Sequence, residues 1–145
     1  MTNFTIRLAV PDDAAEFVAC IDAAFHRFRA RGIALPDVSG GVGDDIARNV
    51  VIVAANGSNV LGAMILVDHS DHLHLANIAV HPDYGGRGIG KALLKEADEV
   101  AQNMGRPRLC LATHVDIPEN VALYRHLGWT ETHRTATKVM MEKQL

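Results

Sequence analysis

Apolar positions recur along this chain with two periods, and the changes between them order the elements. Phe4 to Val10 alternates apolar and polar residues for most of its length, the two-residue period of a half-buried strand. Pro11-Asp12-Asp13 then opens a helix, where proline is tolerated and acids complement the N-terminal dipole. Phe17, Ile21, Ala24 and Phe28 lie three or four apart and give that helix one core face. Gly32 ends it. The segment through Gly43 holds Pro36, Gly40 and Gly41 and carries no periodic signal, after which Asp44 to Asn49 predicts a short second helix. Val50 to Ala55 has no polar residue and reads as a buried strand; Asn56-Gly57 signals a hairpin into a third strand, Val60 to Val67. A polar turn, Asp68-His69-Ser70-Asp71, precedes a fourth strand, His72 to Val80.

Beyond a glycine-rich corner the period returns to that of a helix. Ile89, Leu93, Ala97, Val100 and Met104 form its apolar stripe, Lys91, Lys95, Asp98 and Glu99 its wet side, and Gly105 with Pro107 its stop. Arg108 to Thr113 is a fifth strand. It is reached from the fourth through a helix, which predicts a parallel pair. Asp116-Ile117-Pro118-Glu119 reads as a capping-box variant starting a helix that closes at Gly128. Thr130 to Arg134 and Thr137 to Glu142 supply two final strands. The order β-α-α-β-β-β-α-β-α-β-β predicts an α/β fold, a mixed sheet of about seven strands covered by about four helices.

Composition narrows the classes. The 145 residues are 48% hydrophobic and 21% charged, which suits one sizeable core and a single domain over residues 1–145. A net charge of −3 and a pI near 6.2 give no electrostatic footprint for nucleic acid. No apolar run reaches the ~20 residues of a spanning helix and no charged-then-apolar leader opens the chain, so no membrane partner is expected and the cytoplasm is the expected location. Cys20 and Cys110 sit in apolar stretches and read as core thiols.

The chemistry concentrates in the corner after the fourth strand, where Gly85, Gly86, Gly88 and Gly90 fall within six residues. Backbone N–H groups at a helix start lack intrahelical partners, and glycine lets an anion approach them. Arg87 adds a fixed charge. A P-loop would match from Gly85 to Lys91, but Ala92 follows where a magnesium-binding hydroxyl is required. The dinucleotide pattern GxGxxG fails at its last glycine. What survives, Gly85-Gly86-Arg87-Gly88-Ile89-Gly90 after Val80-His81-Pro82, resembles the acetyl-CoA pyrophosphate loop of the GNAT superfamily of N-acyltransferases, Gln/Arg-x-x-Gly-x-Gly/Ala. Gly85 stands where that family usually has Gln or Arg, so a side-chain contact is missing while the backbone cradle is kept. Asn120-x-Ala122-x-Tyr124-x-x-x-Gly128-Trp129 is similar to a second segment of the same superfamily, and the resemblance covers nearly the whole chain.

The resemblance implies a GNAT-like fold with the fourth and fifth strands splayed at a bulge and the pantetheine arm of acetyl-CoA in the gap, bonded to the backbone of Ile78, Ala79 and Val80. Gly85, Gly86, Arg87, Gly88, Ile89, Gly90 and Lys91 would hold the coenzyme's diphosphate end, and Asn120 the pantetheine. Tyr124 would protonate the departing sulfur, a transfer between a thiol near pKa ~8.5 and a phenol near ~10. A main-chain N–H near Ile78 would meet the tetrahedral oxyanion. The implied activity is direct acetyl transfer to a primary amine of a small molecule or peptide, without a metal; neither cysteine lies in a matched motif, so no acyl-enzyme is expected. Family analogy adds a homodimer.

An alkylamine at ~10.4 must lose a proton before it attacks, and histidine at ~6.5 suits the task. His74 falls where similar acyltransferases carry a glutamate or histidine base, with His72 in reserve. Three other readings stay open: a hydrogen-bonded His74 beside a water relay, a packed Tyr124 with no chemistry, and a metal pair His72/His74 with His69 or His81, which no acid or thiolate cluster completes. Arg27, Arg29 and Arg31 suit either a solvated helix end or recognition of an anionic acceptor. The acceptor pocket is expected among the first helix, the Gly32 to Gly43 segment and the final strands. A non-catalytic acyl-CoA-binding sensor or regulatory module remains the alternative class.

Overall fold

Almost every side chain from residue 50 to 67 is apolar, so both faces of that hairpin must be covered, and the rest of the chain folds to cover them. The computed structural model describes residues 3–35 and 41–145. Its strands are β1 (Thr5–Leu8), β2 (Val50–Asn56), β3 (Asn59–Asp68), β4 (Leu73–Val80), β5 (Arg108–His114), β6 (Thr130–Arg134) and β7 (Lys138–Gln144). The helices are α1 (Ala14–Ala30), α2 (Val42–Arg48), α3 (Ile89–Asn103) and α4 (Pro118–His126). One seven-stranded sheet runs β1-β2-β3-β4-β5-β7-β6, antiparallel at every pair except the parallel β4/β5. Predicted and observed elements agree in number, type and order.

Alternate residues of the hairpin serve the two layers. Val51, Val53, Ala63 and Ile65 pack with Phe17, Cys20, Ile21 and Ala24 of α1. Ile52, Met64 and Leu66 pack on the other face with Leu93, Ala97 and Tyr124. The hairpin turns one residue later than the Asn56-Gly57 signal suggested. Asn56 pairs with Asn59, and Gly57 takes the first central position with φ +61°, the place a type II′ turn reserves for glycine.

Three local devices set the helices. Asp13, 5% exposed, accepts a bidentate pair from Arg7 at 2.8 and 3.0 Å and the backbone N–H of Val10 at 2.8 Å, pinning β1 to the short 3-10 turn that leads into α1. Gly62 lies beneath α3, where a Cβ would stand 2.6 Å from Cγ2 of Ile89 and 3.3 Å from Cδ1 of Leu93. At α4 the expected capping box does not form: the N-cap is Ile117, with no side-chain cap. Glu119 instead receives Arg31 at 3.2 Å, and the Asp116 N–H goes to Nδ1 of His114 at 3.0 Å. A long-range ion pair and a local turn therefore take the groups a capping box would have used.

Two smaller expectations also move. β7 runs to Gln144, because it pairs with β5 along the whole of that strand, from Arg108 opposite Gln144 to His114 opposite Lys138. Cys20 is a core thiol, but Cys110 is only half-buried and faces Arg108, whose Nη1 lies 3.2 Å from its sulfur. No helix among the described residues is long and apolar enough to cross a membrane.

Candidate active site

β4 and β5 pair at three positions only: Leu73 with Leu109, His74 with Cys110, and Leu75 with Leu111. On its other edge β4 pairs Leu75 with Leu66 and Asn77 with Ile65, so Ala76 is an extra residue, a bulge. There β4 turns away from β5, and its edge from Ala76 to Val80 is left without a strand partner on that side. The opening is a cavity of about 420 Å³ lined from both helical layers, by Phe25 and Phe28 of α1 and by Leu94 and Tyr124 of α3 and α4. Phe28, Ile33 and Ile117 close over one side as a small apolar cluster.

The glycine corner lies at one end of this gap. Pro82–Tyr84 forms a 3-10 turn, fastened by the Asp83 N–H donating to Nδ1 of His81 at 3.2 Å. Gly86 and Gly88 take φ of +75° and +80°, left-handed values that other residues adopt only with strain. The first hydrogen bond into α3 is from Ala92 N–H to the Gly88 carbonyl, so the N–H groups of Ile89, Gly90 and Lys91 are unused, and no side chain caps them. Arg87 lies over the Tyr84 ring at 5.9 Å. These features fit a diphosphate: three free donors, a positive helix end and no Cβ in the way.

The sequence-predicted residues divide by location. His74, Ile78, Ala79, Val80, Gly90, Asn120 and Tyr124 all line the cavity. Gly88 and Lys91 line a second depression of about 410 Å³ between α3 and the end of α4, where Lys143 pairs with Asp98 at 2.7 Å. Gly85, Gly86, Arg87 and Ile89 shape the corner but line neither; the Ile89 side chain is buried against Gly62.

The two candidate proton-handling groups are shifted in opposite senses. Burial pushes the Tyr124 phenol up to about 12, and its ring packs 5.8 Å from that of Trp129. Burial also holds His74 below the usual histidine value, helped by the positive fields of His69, His72 and Lys138. His74 is therefore neutral at pH 7, and Tyr124 is protonated. Asn120 donates to Oγ1 of Thr113 at 3.4 Å, spanning from α4 to β5. His69 stacks on His72 at 4.9 Å, and no group of three or more His, Cys, Asp or Glu among the described residues is arranged to hold a metal.

Comparison with known proteins decides the family. A model described as "Acetyltransferase (GNAT) domain" matches residues 47–131, more than half of the chain. The chain belongs to the GNAT acetyltransferases. The match runs from the end of α2 to the start of β6, so it includes the splay, the corner and Tyr124 of this GNAT chain. A ribosomal protein bS18-alanine N-acetyltransferase of Escherichia coli is 38% identical over 61 residues, 42% of this chain and 41% of that protein. An uncharacterised N-acetyltransferase of Methanocaldococcus jannaschii is 30% identical over 79 residues, 54% of this chain and 35% of that protein. The matched segment thus spans about two fifths of the length of these relatives or less. Among solved structures, the PaiA N-acetyltransferase of Thermoplasma acidophilum in complex with coenzyme A superposes with a TM-score of 0.89 at 18% identity, covering 99% of this chain and 100% of that one. The Escherichia coli ribosomal-protein-S18-alanine N-acetyltransferase gives 0.82 at 22% identity, over 98% and 94%. At these identities the structural likeness establishes the fold.

Sequence reasoning missed several residues of this GNAT cavity. Ala76 is the bulge, and nothing in Leu75-Ala76-Asn77 announces an unpaired residue. Asn77 is buried at 8% exposed, lines the cavity, and its Nδ2 has no hydrogen-bond partner. A lone polar residue in the apolar run Leu75 to Val80 was the available signal. His114 and Lys138 come from the ends of β5 and β7, brought together only by strand register.

Proposed function

We propose that this chain is an acetyl-CoA-dependent N-acetyltransferase, a single acyltransferase domain that passes the acetyl group directly to a primary amine of a small molecule or peptide. The observation that carries this reading is the splay of β4 from β5 at Ala76, which opens an unpaired strand edge beside the uncapped start of α3. Backbone groups of Ile78 to Val80 would bond the pantetheine amides, and the N–H groups of Ile89, Gly90 and Lys91 would hold the diphosphate. The coenzyme supplies an acyl thioester, already activated for attack by an amine.

The remaining work belongs to the protein. A neutral His74 imidazole takes the proton of the acceptor ammonium, directly or through one water. Tyr124, which lines the same cavity, keeps its proton at Oη and would offer it to the sulfur. A phenol near 12 is a weaker acid than the ordinary ~10, so complete transfer to a thiolate of ~8.5 is uphill and the group acts first as a hydrogen-bond donor to developing charge. Asn120 and the apolar walls at Leu94 and Leu111 position the arm and exclude water. A cytoplasmic location accords with two free thiols, Cys20 and Cys110.

Calorimetric titration with acetyl-CoA, followed by a panel of amines with free-thiol detection, tests the proposal. Saturable binding with release of thiol on addition of an amine supports it. Absence of binding at millimolar ligand by folded protein overturns it, and binding without turnover across the panel replaces it with the sensor reading.

A further inference from the structure

On the α1 side of the sheet the cavity is lined by hydrogen-bond donors that no carboxylate among the described residues answers. Lys138 begins β7 opposite His114, and Arg27 comes from α1; both are exposed at the cavity and neither meets a carboxylate among the described residues. Arg7, Arg31, Arg106, Arg108 and Lys143 each face an Asp or Glu, whereas Arg27 lies over the Phe28 ring at 4.6 Å.

Two further donors point the same way. Nδ1 of His114 accepts the Asp116 N–H, which puts the ring proton on Nε2. The Asn77 amide nitrogen is buried, unpartnered and on the face of β4 that packs toward α1, since Asn77 pairs with Ile65 of that layer. No Asp or Glu among the described residues lines the cavity. An orphaned buried donor is destabilising unless a ligand oxygen meets it. The phosphate corner does not account for these groups, because α3 starts on the opposite face of the sheet, over Gly62.

We infer that the acceptor is an amine carrying a carboxylate, a free amino acid or the N-terminus of an acidic peptide, whose carboxylate is met by Arg27 and Lys138 and whose oxygens are met by Asn77 and His114. This rests on the acetyltransferase reading and narrows its substrate class. A polyamine, with several cations and no oxygen acceptor, is repelled by the same groups.

Matched acceptor pairs test it: glutamate against glutaminamide, aspartate against asparaginamide, alanine against alaninamide, and the dipeptide Ala-Glu against Ala-glutaminamide, so that no amide member keeps a carboxylate, with spermidine as a cationic control. Each is assayed for thiol release from acetyl-CoA and, separately, titrated calorimetrically into protein saturated with free coenzyme A. The expected result is a kcat/KM at least about tenfold higher for the carboxylate member. R27Q and K138Q should each raise KM for that member about fivefold more than for the amide, and Arg27→Lys should restore part of the difference. The dipeptide arm separates peptide from free amino acid. Equal or better use of the amides or spermidine overturns the inference, as does protein that binds acetyl-CoA but neither binds nor acetylates any carboxylate amine. Loss of acetyl-CoA binding itself would count against the acetyltransferase reading on which the inference stands.

Discussion

Tyr124 and His74 are asked for opposite protonation states, and burial supplies both. A buried phenol resists ionising and a half-buried imidazole resists charging, so one cavity holds a protonated phenol and a neutral imidazole at the same pH, the states the proposed roles require. Tyr124→Phe removes the donor and little volume. It should lower kcat by about 10²-fold while leaving coenzyme affinity within a factor of about two, as read by steady-state kinetics and calorimetry. For His74 the sign is set by its lowered pKa. The imidazole gains its proton only as pH falls below the usual ~6.5, so kcat/KM should be level near neutrality and decline on the acid side. His74→Gln should abolish that acid limb; a limb that survives the substitution assigns the base elsewhere. The family resemblance pointed to His74, which lines the cavity, but the direction of its shift was not legible, because His69, His72 and Lys138 approach it only in the fold.

At the scale of elements, the start of α3 depends on what lies beneath it. Gly62 lets Ile89 and Leu93 rest on β3, and through them it holds the three free N–H groups at the gap. Gly62→Ala forces a Cβ into Cγ2 of the buried Ile89, for a loss of about 1–3 kcal/mol in denaturant unfolding and a matching weakening of acetyl-CoA binding. Weakened binding at full stability would show that the corner shifts without loosening the core. Element type was readable wherever periodicity was strong: the apolar faces of α1 and α3 and the unbroken run of β2 appear where expected. The capping box at Asp116 to Glu119 was misread for a physical reason. Its carboxylate found a better partner in Arg31, 88 residues away, and a local pattern carries no information about that competitor.

For the whole molecule, the gap between β4 and β5 is the feature that couples folding to ligand. A coenzyme that fills it binds the native state alone, so saturating acetyl-CoA at about a hundred times its Kd should add about 2.7 kcal/mol of stability. In a chain of this length that corresponds to a rise of roughly 5–10 °C in Tm by scanning calorimetry. No shift at that concentration would mean that the ligand does not bind the native state in preference to the unfolded chain. The family assignment gathers the splay, the corner and Tyr124 into one segment, residues 47–131, while α1 and β7, which carry Arg27 and Lys138, lie outside it.

The order of elements, the parallel β4/β5 pair and the glycine corner before α3 were legible in the sequence, because these follow from periodicity, chain connectivity and the conformational freedom of glycine, all properties of near neighbours. Which donors share the α1 side of the cavity was set by tertiary packing. Arg27, Asn77, His114 and Lys138 come from four elements, and register and packing bring them together. A one-residue change in the β5/β7 register would turn Lys138 to the opposite face, and no local pattern holds that register in place.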